Sequence, residues 1–317
     1  MIKPWGVGFW GEIDHVATQI VIASILGREP IVLWNGEYRY GKSGAENAWN
    51  DCFLPVSEAA RGDLNGAGLT FYPSFWSSTN LDQVRYRPGR DIGHYRPFGG
   101  SSLMAIGRQE DIIVADAYVN MRAALAWAPP EAPIAKQDLL SIYRSIFRDV
   151  IRPLPEHVAR HDAIAAQLFA RRPVLAIHYR AQSAYKTFAE SIEKRALTME
   201  EYVEHIDRFV ADHPQGGLFL LSDLKAAVEQ LRSRYGDRLV TMDRARLSDP
   251  GLVDIAFDQA GTSYALGLEV FDDACLAARA DRFLGDGTSG VSCAIEFMKD
   301  WPEGSVTLLR KNVFLHR

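Results

Sequence analysis

The sequence predicts an α/β protein with a mainly parallel, doubly wound sheet. Two patterns support this: short apolar runs rich in β-branched residues alternate with helical apolar stripes, and several of these runs end in polar residues or glycine. The 317 residues are enough for two ordinary domains. Hydrophobic residues at 47% and charged residues at 24% are usual for a globular protein and exclude disordered or fibrous classes.

In the first half, a strand is predicted at residues 6–10, followed by a helix, and a second strand at 30–34. Residues 35–110 are rich in glycine, asparagine, proline and aromatic residues, which predicts long loops. A further strand is expected at 112–115, and a helical pattern covers 137–169 with a break at two prolines.

The second half alternates more clearly. Thr198 and Glu201 form a capping-box pattern that predicts the start of a helix. Strands are predicted at 174–177, 218–221, 239–242 and 282–284, and the last two helices at 265–279 and 291–298. We therefore expect two α/β domains, residues 1–165 and 166–317.

The net charge and the cysteine content exclude several classes of function. The chain has 35 Lys and Arg against 40 Asp and Glu, a net charge of −5, which argues against broad nucleic-acid binding. No apolar stretch approaches the roughly 18 residues of a membrane span. Cys52, Cys275 and Cys293 are too far apart for a disulfide framework or a zinc site. Reduced thiols and a cytoplasmic location are expected.

Polar residues follow three predicted strands of the second half. His178 and Arg180 follow the first, Ser222 and Asp223 the second, and a glycine-rich loop the fourth. Ligands of open parallel sheets bind outside the carboxyl ends of the strands, so these groups are candidate binding residues. Each also has a purely structural interpretation, as a surface cation, a hydrogen-bonded core histidine or a helix cap.

The loop at 285–292 has two glycines five residues apart between a strand and a helix, the spacing of a phosphate-binding P-loop. Val291 stands where that motif needs lysine, so nucleotide hydrolysis is not expected. The hydroxyls of Thr288, Ser289 and Ser292, the helix N-terminus and Arg180 still suit a diphosphate. The alternative is a glycine turn capped by Ser289.

Two other motifs bear on the chemistry. Asp-x-Asp occurs nowhere, so a metal-chelating sugar-nucleotide site of the usual kind is not expected, and we predict no metal. Gly6, Gly8 and Gly11 have dinucleotide-binding spacing, but only if the preceding strand ends before Gly6. An NAD-dependent oxidoreductase therefore remains an alternative.

Four segments resemble the fucosyltransferase superfamily that includes the α1,6-fucosyltransferases, the rhizobial nodulation-factor enzyme and the protein O-fucosyltransferases. His178-Tyr179-Arg180 resembles its His-x-Arg motif. The other three segments, in the family's order, are 197–202, 218–223 and 280–292. The resemblance implies a GT-B-like fold of two Rossmann-type domains facing across a cleft, with GDP-fucose in the C-terminal domain and the acceptor on the N-terminal side. It also implies inversion of the anomeric centre without a metal.

The resemblance implies roles for individual residues. Arg180 would neutralise the β-phosphate, and His178 would lie against the diphosphate or ribose. Asp273 corresponds to a nucleotide-binding aspartate, although Asp272 beside it leaves the register open. The remaining nucleotide-binding candidates are Ser222, Asp223, Thr288, Ser289 and Ser292.

The sequence departs from the family in two places. Ala181 stands where a second arginine is common, and no acidic residue lies at the offset of the α1,6 enzymes' proposed base. Glu190 is our candidate catalytic base, with Glu193 close by, although a capping or surface role is an alternative.

We therefore expect a glycosyltransferase that transfers fucose from GDP-fucose to a glycan acceptor, with no cofactor. The family's secreted-pathway members carry a membrane anchor, and this sequence shows no such segment. We therefore expect a role in bacterial glycan or lipopolysaccharide assembly. A transferase using another nucleotide sugar is one alternative. A non-catalytic glycan- or nucleotide-binding protein of the same fold is the other.

Overall fold

The computed structural model divides the chain into two compact units. The first comprises Met1–Pro155, Ser263–Leu268 and Phe314–Arg317, and the second Glu156–Thr262 and Glu269–Val313. The functional division predicted at residues 165 and 166 stays a prediction. All residues are described except Trp5, Gly36, Glu37, Arg39, Ser43, 83–105, 181–196, Ala245, 249–263 and Arg317.

The described part of Met1–Pro155 in the first unit combines α-helices with short parallel pairings. Its helices are α1 (Phe9–Ile25), α2 (Met121–Leu125) and α3 (Leu139–Asp149), and its strands β1 (Phe71–Tyr72) and β2 (Ile112–Ile113) pair in parallel. Ile2 forms parallel bridges to Val32 and Ala115. These contacts confirm the expected α/β character of this half.

The strand predicted at residues 6–10 is wrong. Helix α1 already begins at Phe9, and the extended segment lies earlier, at Ile2. The buried carboxylate of Glu12 accepts hydrogen bonds from the backbone N–H groups of Gly6 (2.5 Å) and Val7 (2.8 Å). These bonds fold the glycine segment into a helix-entry turn, because they satisfy amides that a strand would pair with its neighbour.

The second unit is built on a five-stranded parallel sheet in the order β5-β4-β3-β6-β7. The strands are β3 (Val174–Tyr179), β4 (Gly217–Ser222), β5 (Leu239–Val240), β6 (Arg282–Gly285) and β7 (Val306–Leu308). Numbered within this unit the order is 3-2-1-4-5, that of a Rossmann-type sheet. The predicted doubly wound α/β class is confirmed.

The remaining helices are α4 (Pro155–Leu168), α5 (Met199–Asp212), α6 (Lys225–Tyr235), α7 (Tyr264–Ala277), α8 (Gly290–Phe297) and α9 (Val313–His316). The start of α7 and most of α9 belong to the first unit. The capping box at Thr198 and Glu201 is confirmed, since Glu201 Oε2 accepts from the Thr198 backbone N–H at 2.8 Å. Ile177 and Leu218 are fully buried in the core between sheet and helices, which is why the central strands read as continuous apolar runs.

Candidate nucleotide-binding site

The strand order places the candidate residues at the topological switch point of the second unit. β3 and β6 are neighbours, yet the chain leaves β3 toward β4 on one side and reaches β6 only later. The carboxyl ends of β3 and β6 therefore mark the switch point, the place where ligands of such sheets bind. His178 is the penultimate residue of β3, Arg180 follows this strand, and the glycine loop follows β6, at the strand ends that the sequence predicted.

His178 is buried and hydrogen-bonded at this edge. Its Nδ1 lies 2.7 Å from Ser292 Oγ on α8, and its side chain is buried. Burial and the nearby Arg180 guanidinium lower the pKa of His178 from 6.5 to about 3. The imidazole is therefore neutral at physiological pH, so it serves as a hydrogen-bonding group rather than as a cation.

The glycine loop after β6 is shaped by Asp286. The Asp286 carboxylate accepts from the backbone N–H of Thr288 at 3.0 Å and from the Thr288 hydroxyl at 2.9 Å. The hydroxyl hydrogen of Thr288 is thus already donated within the loop. Thr288 therefore holds the loop in shape, and its predicted contact with phosphate would require that bond to break.

Ser289 has a different environment from Thr288. It is the N-cap residue of α8, 4% exposed, and its side chain makes no capping hydrogen bond. Among the described residues, none hydrogen-bonds to the buried Ser289 Oγ. A buried hydroxyl without a partner costs free energy, and this one lies at a helix N-terminus, where backbone N–H groups favour an anion.

The two glycines of the loop are required by close packing. A Cβ on Gly285 would lie 2.6 Å from Ser292 Oγ, and one on Gly287 would lie 2.6 Å from the backbone nitrogen of Asn312. Both distances are shorter than real Cβ contacts, so a side chain at either position would displace the loop. Glycine therefore holds the loop after β6 against α8 and the chain after β7.

Arg180 and Asp223 lie together at the ends of β3 and β4. Arg180 Nε is 3.9 Å from Asp223 Oδ2, and both side chains are partly exposed. Ser222, the residue before Asp223, accepts from the backbone N–H of Leu224 at 3.2 Å. Its hydroxyl oxygen thus supports the turn before α6, whose N-cap residue is Leu224.

The two adjacent aspartates of α7 have different environments. Asp272 is buried and accepts from Arg160 and from His161 Nε2 at 2.7 Å. Asp273 is half-buried, with its Oδ1 3.2 Å from Arg244 Nε. Burial raises the pKa of Asp273 to about 6, and Arg244 only partly opposes this. Asp272 therefore belongs to a structural ion cluster, and Asp273 is the better ligand candidate.

Sequence reasoning missed Arg310. It follows β7, and its Nε donates to Asp286 Oδ1 at 2.9 Å while its Nη2 pairs with Asp286 Oδ2. Burial disfavours ionisation of Asp286, but hydrogen bonds from Arg310 and Thr288 outweigh it and keep the pKa of Asp286 low. β7 has only three residues, too short for an apolar pattern that would have marked Arg310 as a strand-end residue.

The candidate base Glu190, with Glu193, lies outside the described residues. Within the described parts of the chain, no group of three or more His, Cys, Asp or Glu side chains is arranged to hold a metal ion. None of the described helices is long and apolar enough to cross a membrane.

The glycine segment of the first unit has the arrangement that a dinucleotide fingerprint needs, because the extended segment at Ile2 ends before Gly6. Here, however, the Glu12 carboxylate already holds the N–H groups of Gly6 and Val7. A pyrophosphate would have to displace this carboxylate, which argues against the oxidoreductase alternative.

Solved fucosyltransferases have the same fold. The α-1,6-fucosyltransferase NodZ soaked with GDP-fucose matches with a TM-score of 0.57 at 18% identity, over 94% of this chain and 92% of that chain. NodZ from Bradyrhizobium matches at 0.55 and 19% identity, over 94% and 91%. POFUT1 in complex with GDP-fucose matches at 0.57 and 13% identity, over 98% and 96%.

At these identities the likeness establishes a shared fold, and it confirms the GT-B-like class that the resemblance implied. The sequence matches no protein-family model. It also matches no curated protein.

Proposed function

We propose that this protein is a glycosyltransferase that transfers fucose from GDP-fucose to a glycan acceptor. One observation carries the proposal. At the switch point of a Rossmann-type sheet, Arg180, a neutral His178 and a helix N-terminus meet, and the buried Ser289 hydroxyl at that N-terminus has no partner among the described residues. The fold is that of fucosyltransferases solved with GDP-fucose.

The diphosphate would lie across this edge. The first N–H groups of α8 and the Ser289 hydroxyl would donate to phosphate oxygens, as helix N-termini do for anions. The planar Arg180 guanidinium would bind the β-phosphate with two N–H groups. As the sugar–phosphate bond breaks, the β-phosphate gains negative charge. Arg180 then stabilises the transition state more than the ground state.

The reaction in this proposal is a single inverting displacement. The acceptor hydroxyl oxygen forms a bond to the anomeric carbon as the bond from that carbon to the β-phosphate oxygen breaks. The electron pair leaves with GDP, and the hydroxyl proton passes to a carboxylate, for which Glu190 is the candidate. Asp223 and Asp273 complete the nucleotide pocket, and the reaction uses no metal.

Two alternatives stay open for this site. A transferase for another nucleotide sugar would use the same diphosphate-binding residues, because their proposed contacts do not depend on which sugar or base the ligand carries. A non-catalytic binding protein would keep nucleotide affinity without turnover. The cytoplasmic location and the role in bacterial glycan assembly also remain predictions.

GDP release from GDP-fucose with a panel of glycan acceptors, in the presence of EDTA, tests the proposal. We expect turnover in the wild type and none in Arg180→Ala. Arg171→Ala is the matched control, because Arg171 precedes β3 at the opposite edge and pairs with the exposed Asp237 at 2.6 Å. Nucleotide binding without turnover on any acceptor would favour the non-catalytic alternative.

A further inference from the structure

The segment that follows β5 lies beside the end of β4. We call its residues 241–244, 246 and 247 the β5 loop. At the start of the loop, the Thr241 hydroxyl donates to the Leu220 carbonyl of β4 at 2.8 Å. At its end, the backbone N–H of Leu247 donates to the Asp223 carbonyl at 2.7 Å. The β5 loop is therefore fixed at both ends to the carboxyl edge of the sheet, next to Asp223.

The order of the strands gives the direction of a bound nucleotide. In Rossmann-type sheets the diphosphate lies near the first strand, and an acidic residue after the second strand binds the ribose. The second strand of this unit is β4, and Asp223 follows it, with its Oδ2 3.9 Å from Arg180 Nε. A nucleotide whose diphosphate is held by Arg180 would therefore extend across the end of β4, and its base would reach the β5 loop.

Arg244 joins the β5 loop to the two aspartates of α7. Its Nε donates to Asp273 Oδ1 at 3.2 Å, and its Nη2 lies 3.7 Å from Asp272 Oδ2. The Arg244 side chain is 15% exposed and that of Asp273 is 20% exposed, so most of this pair is shielded from water. Because one planar guanidinium contacts two consecutive carboxylates, it fixes the position of Asp273 relative to the β5 loop.

Asp273 depends on Arg244 more than Asp272 does. Side chains of α4 already hold Asp272, whereas Arg244 is the cation that pairs with Asp273 among the described residues. Burial raises the pKa of Asp273, the nearby carboxylates of Asp272 and Glu269 raise it too, and Arg244 opposes them. Loss of Arg244 would therefore raise this pKa further and favour the protonated carboxyl at neutral pH.

We propose that Arg244 is a positioning residue for the nucleobase: it holds the Asp273 carboxylate in place to accept the N1–H and 2-amino groups of guanine. An ionised carboxylate offers about four acceptor positions, and Arg244 uses one of them. Adenine has an acceptor at N1 and no 2-amino group, so it cannot make these bonds. This inference rests on the proposed function, because it needs a nucleotide at the switch point, and it adds the residue that selects guanine over adenine.

Calorimetric titration with GDP and with ADP tests this assignment, since the two ligands share the ribose and the diphosphate and differ in the base. In Arg244→Gln we expect GDP affinity to fall about tenfold or more and ADP affinity to change less than about twofold. Arg244→Lys keeps a charge beside Asp273 and should retain part of the preference for GDP. Arg279→Gln is the control, because Arg279 also pairs with an aspartate, Asp162 at 2.6 Å, but follows the other end of α7.

Two further readouts show whether Arg244 acts through Asp273. In a double-mutant cycle, Arg244→Gln should lower GDP affinity about tenfold in the wild type and less than about twofold in the Asp273→Asn background. Since Arg244 favours the ionised carboxylate, its removal should also move the rise of GDP affinity with pH to higher pH than in the wild type. A residue that only anchors the β5 loop would produce neither result.

The outcomes separate this inference from the proposed function. If the wild type binds GDP and Arg180→Ala abolishes that binding, but Arg244→Gln lowers GDP and ADP affinity equally or not at all, the inference fails alone. Equal affinities of the wild type for GDP and ADP would also refute it. A wild type that does not bind GDP overturns both. Circular dichroism of each variant verifies folding. If the Gln variant unfolds, Arg244→Lys and Asp273→Asn carry the test, and an unchanged preference for GDP in both would refute the inference.

Discussion

Ser289→Ala distinguishes a ligand-binding hydroxyl from a helix cap. Replacing an N-cap serine by alanine usually costs about 1 kcal/mol of stability, because a hydrogen bond to the helix is lost. Ser289 makes no such bond, and its buried hydroxyl has no partner among the described residues. A buried unsatisfied group costs about 1–3 kcal/mol, so the free Ser289→Ala protein should be at least as stable as the wild type and up to about 3 kcal/mol more stable.

The same substitution should weaken nucleotide binding. A hydrogen bond to a charged phosphate contributes about 1.5–3 kcal/mol, which corresponds to a loss in GDP affinity of about 10- to 150-fold. Urea unfolding measures stability, and calorimetry measures affinity. Asn120→Ala is the control, because the Asn120 side chain does cap its helix, accepting from the Ala123 N–H at 2.8 Å. It should lose stability and keep GDP affinity. If Ser289→Ala behaves like Asn120→Ala, the hydroxyl is a structural cap and the reasoning is wrong.

Two further predictions concern pH. The pKa of His178 falls from 6.5 to about 3 on folding, so between these pH values the unfolded chain binds a proton that the folded chain does not. The contribution of His178 to the free energy of unfolding is therefore constant above pH 6.5. Below that pH it falls by about 1.4 kcal/mol per pH unit, down to about pH 3. The difference between wild type and His178→Asn in urea unfolding should show this slope, and a pH-independent difference would contradict it. Since the pKa of Asp273 is raised to about 6, GDP affinity should increase between about pH 5 and pH 7 as the carboxylate ionises and accepts nucleobase N–H groups. Asp273→Asn should abolish the increase, and an unchanged pH profile in that variant would remove Asp273 from the site.

The strand ends of the second unit were predictable from the sequence because buried parallel strands have a strong local signal. Residues 174–177 and 218–221 are continuous apolar runs, so the positions of His178, Arg180 and Asp223 followed from the pattern. The order of the strands depends on long-range pairing, and only the structure shows that β3 and β6 are adjacent. The switch point itself was therefore not predictable from local periodicity.

What the sequence did not predict about the strands and the candidate site has physical causes. Aromatic residues between glycines suggested a strand at residues 6–10, but the Glu12 carboxylate satisfies the amides there and starts a helix. Thr288 stays a predicted phosphate ligand, and the structure adds that its hydroxyl hydrogen goes to Asp286. Arg310 follows a three-residue strand, and its ion pair with Asp286 depends on the adjacency of β6 and β7. Each depends on contacts between residues that sequence spacing does not reveal.

The central claim is that the switch-point edge binds the diphosphate of a guanine nucleotide sugar. Calorimetric titration with GDP, GDP-fucose, GDP-mannose, UDP-glucose and NAD, with EDTA present, tests it most directly when wild type, Arg180→Ala and Arg171→Ala are compared. We predict that the wild type and Arg171→Ala bind GDP and GDP-fucose and that Arg180→Ala binds neither. Binding of GDP that survives Arg180→Ala, or binding of NAD alone, would contradict it.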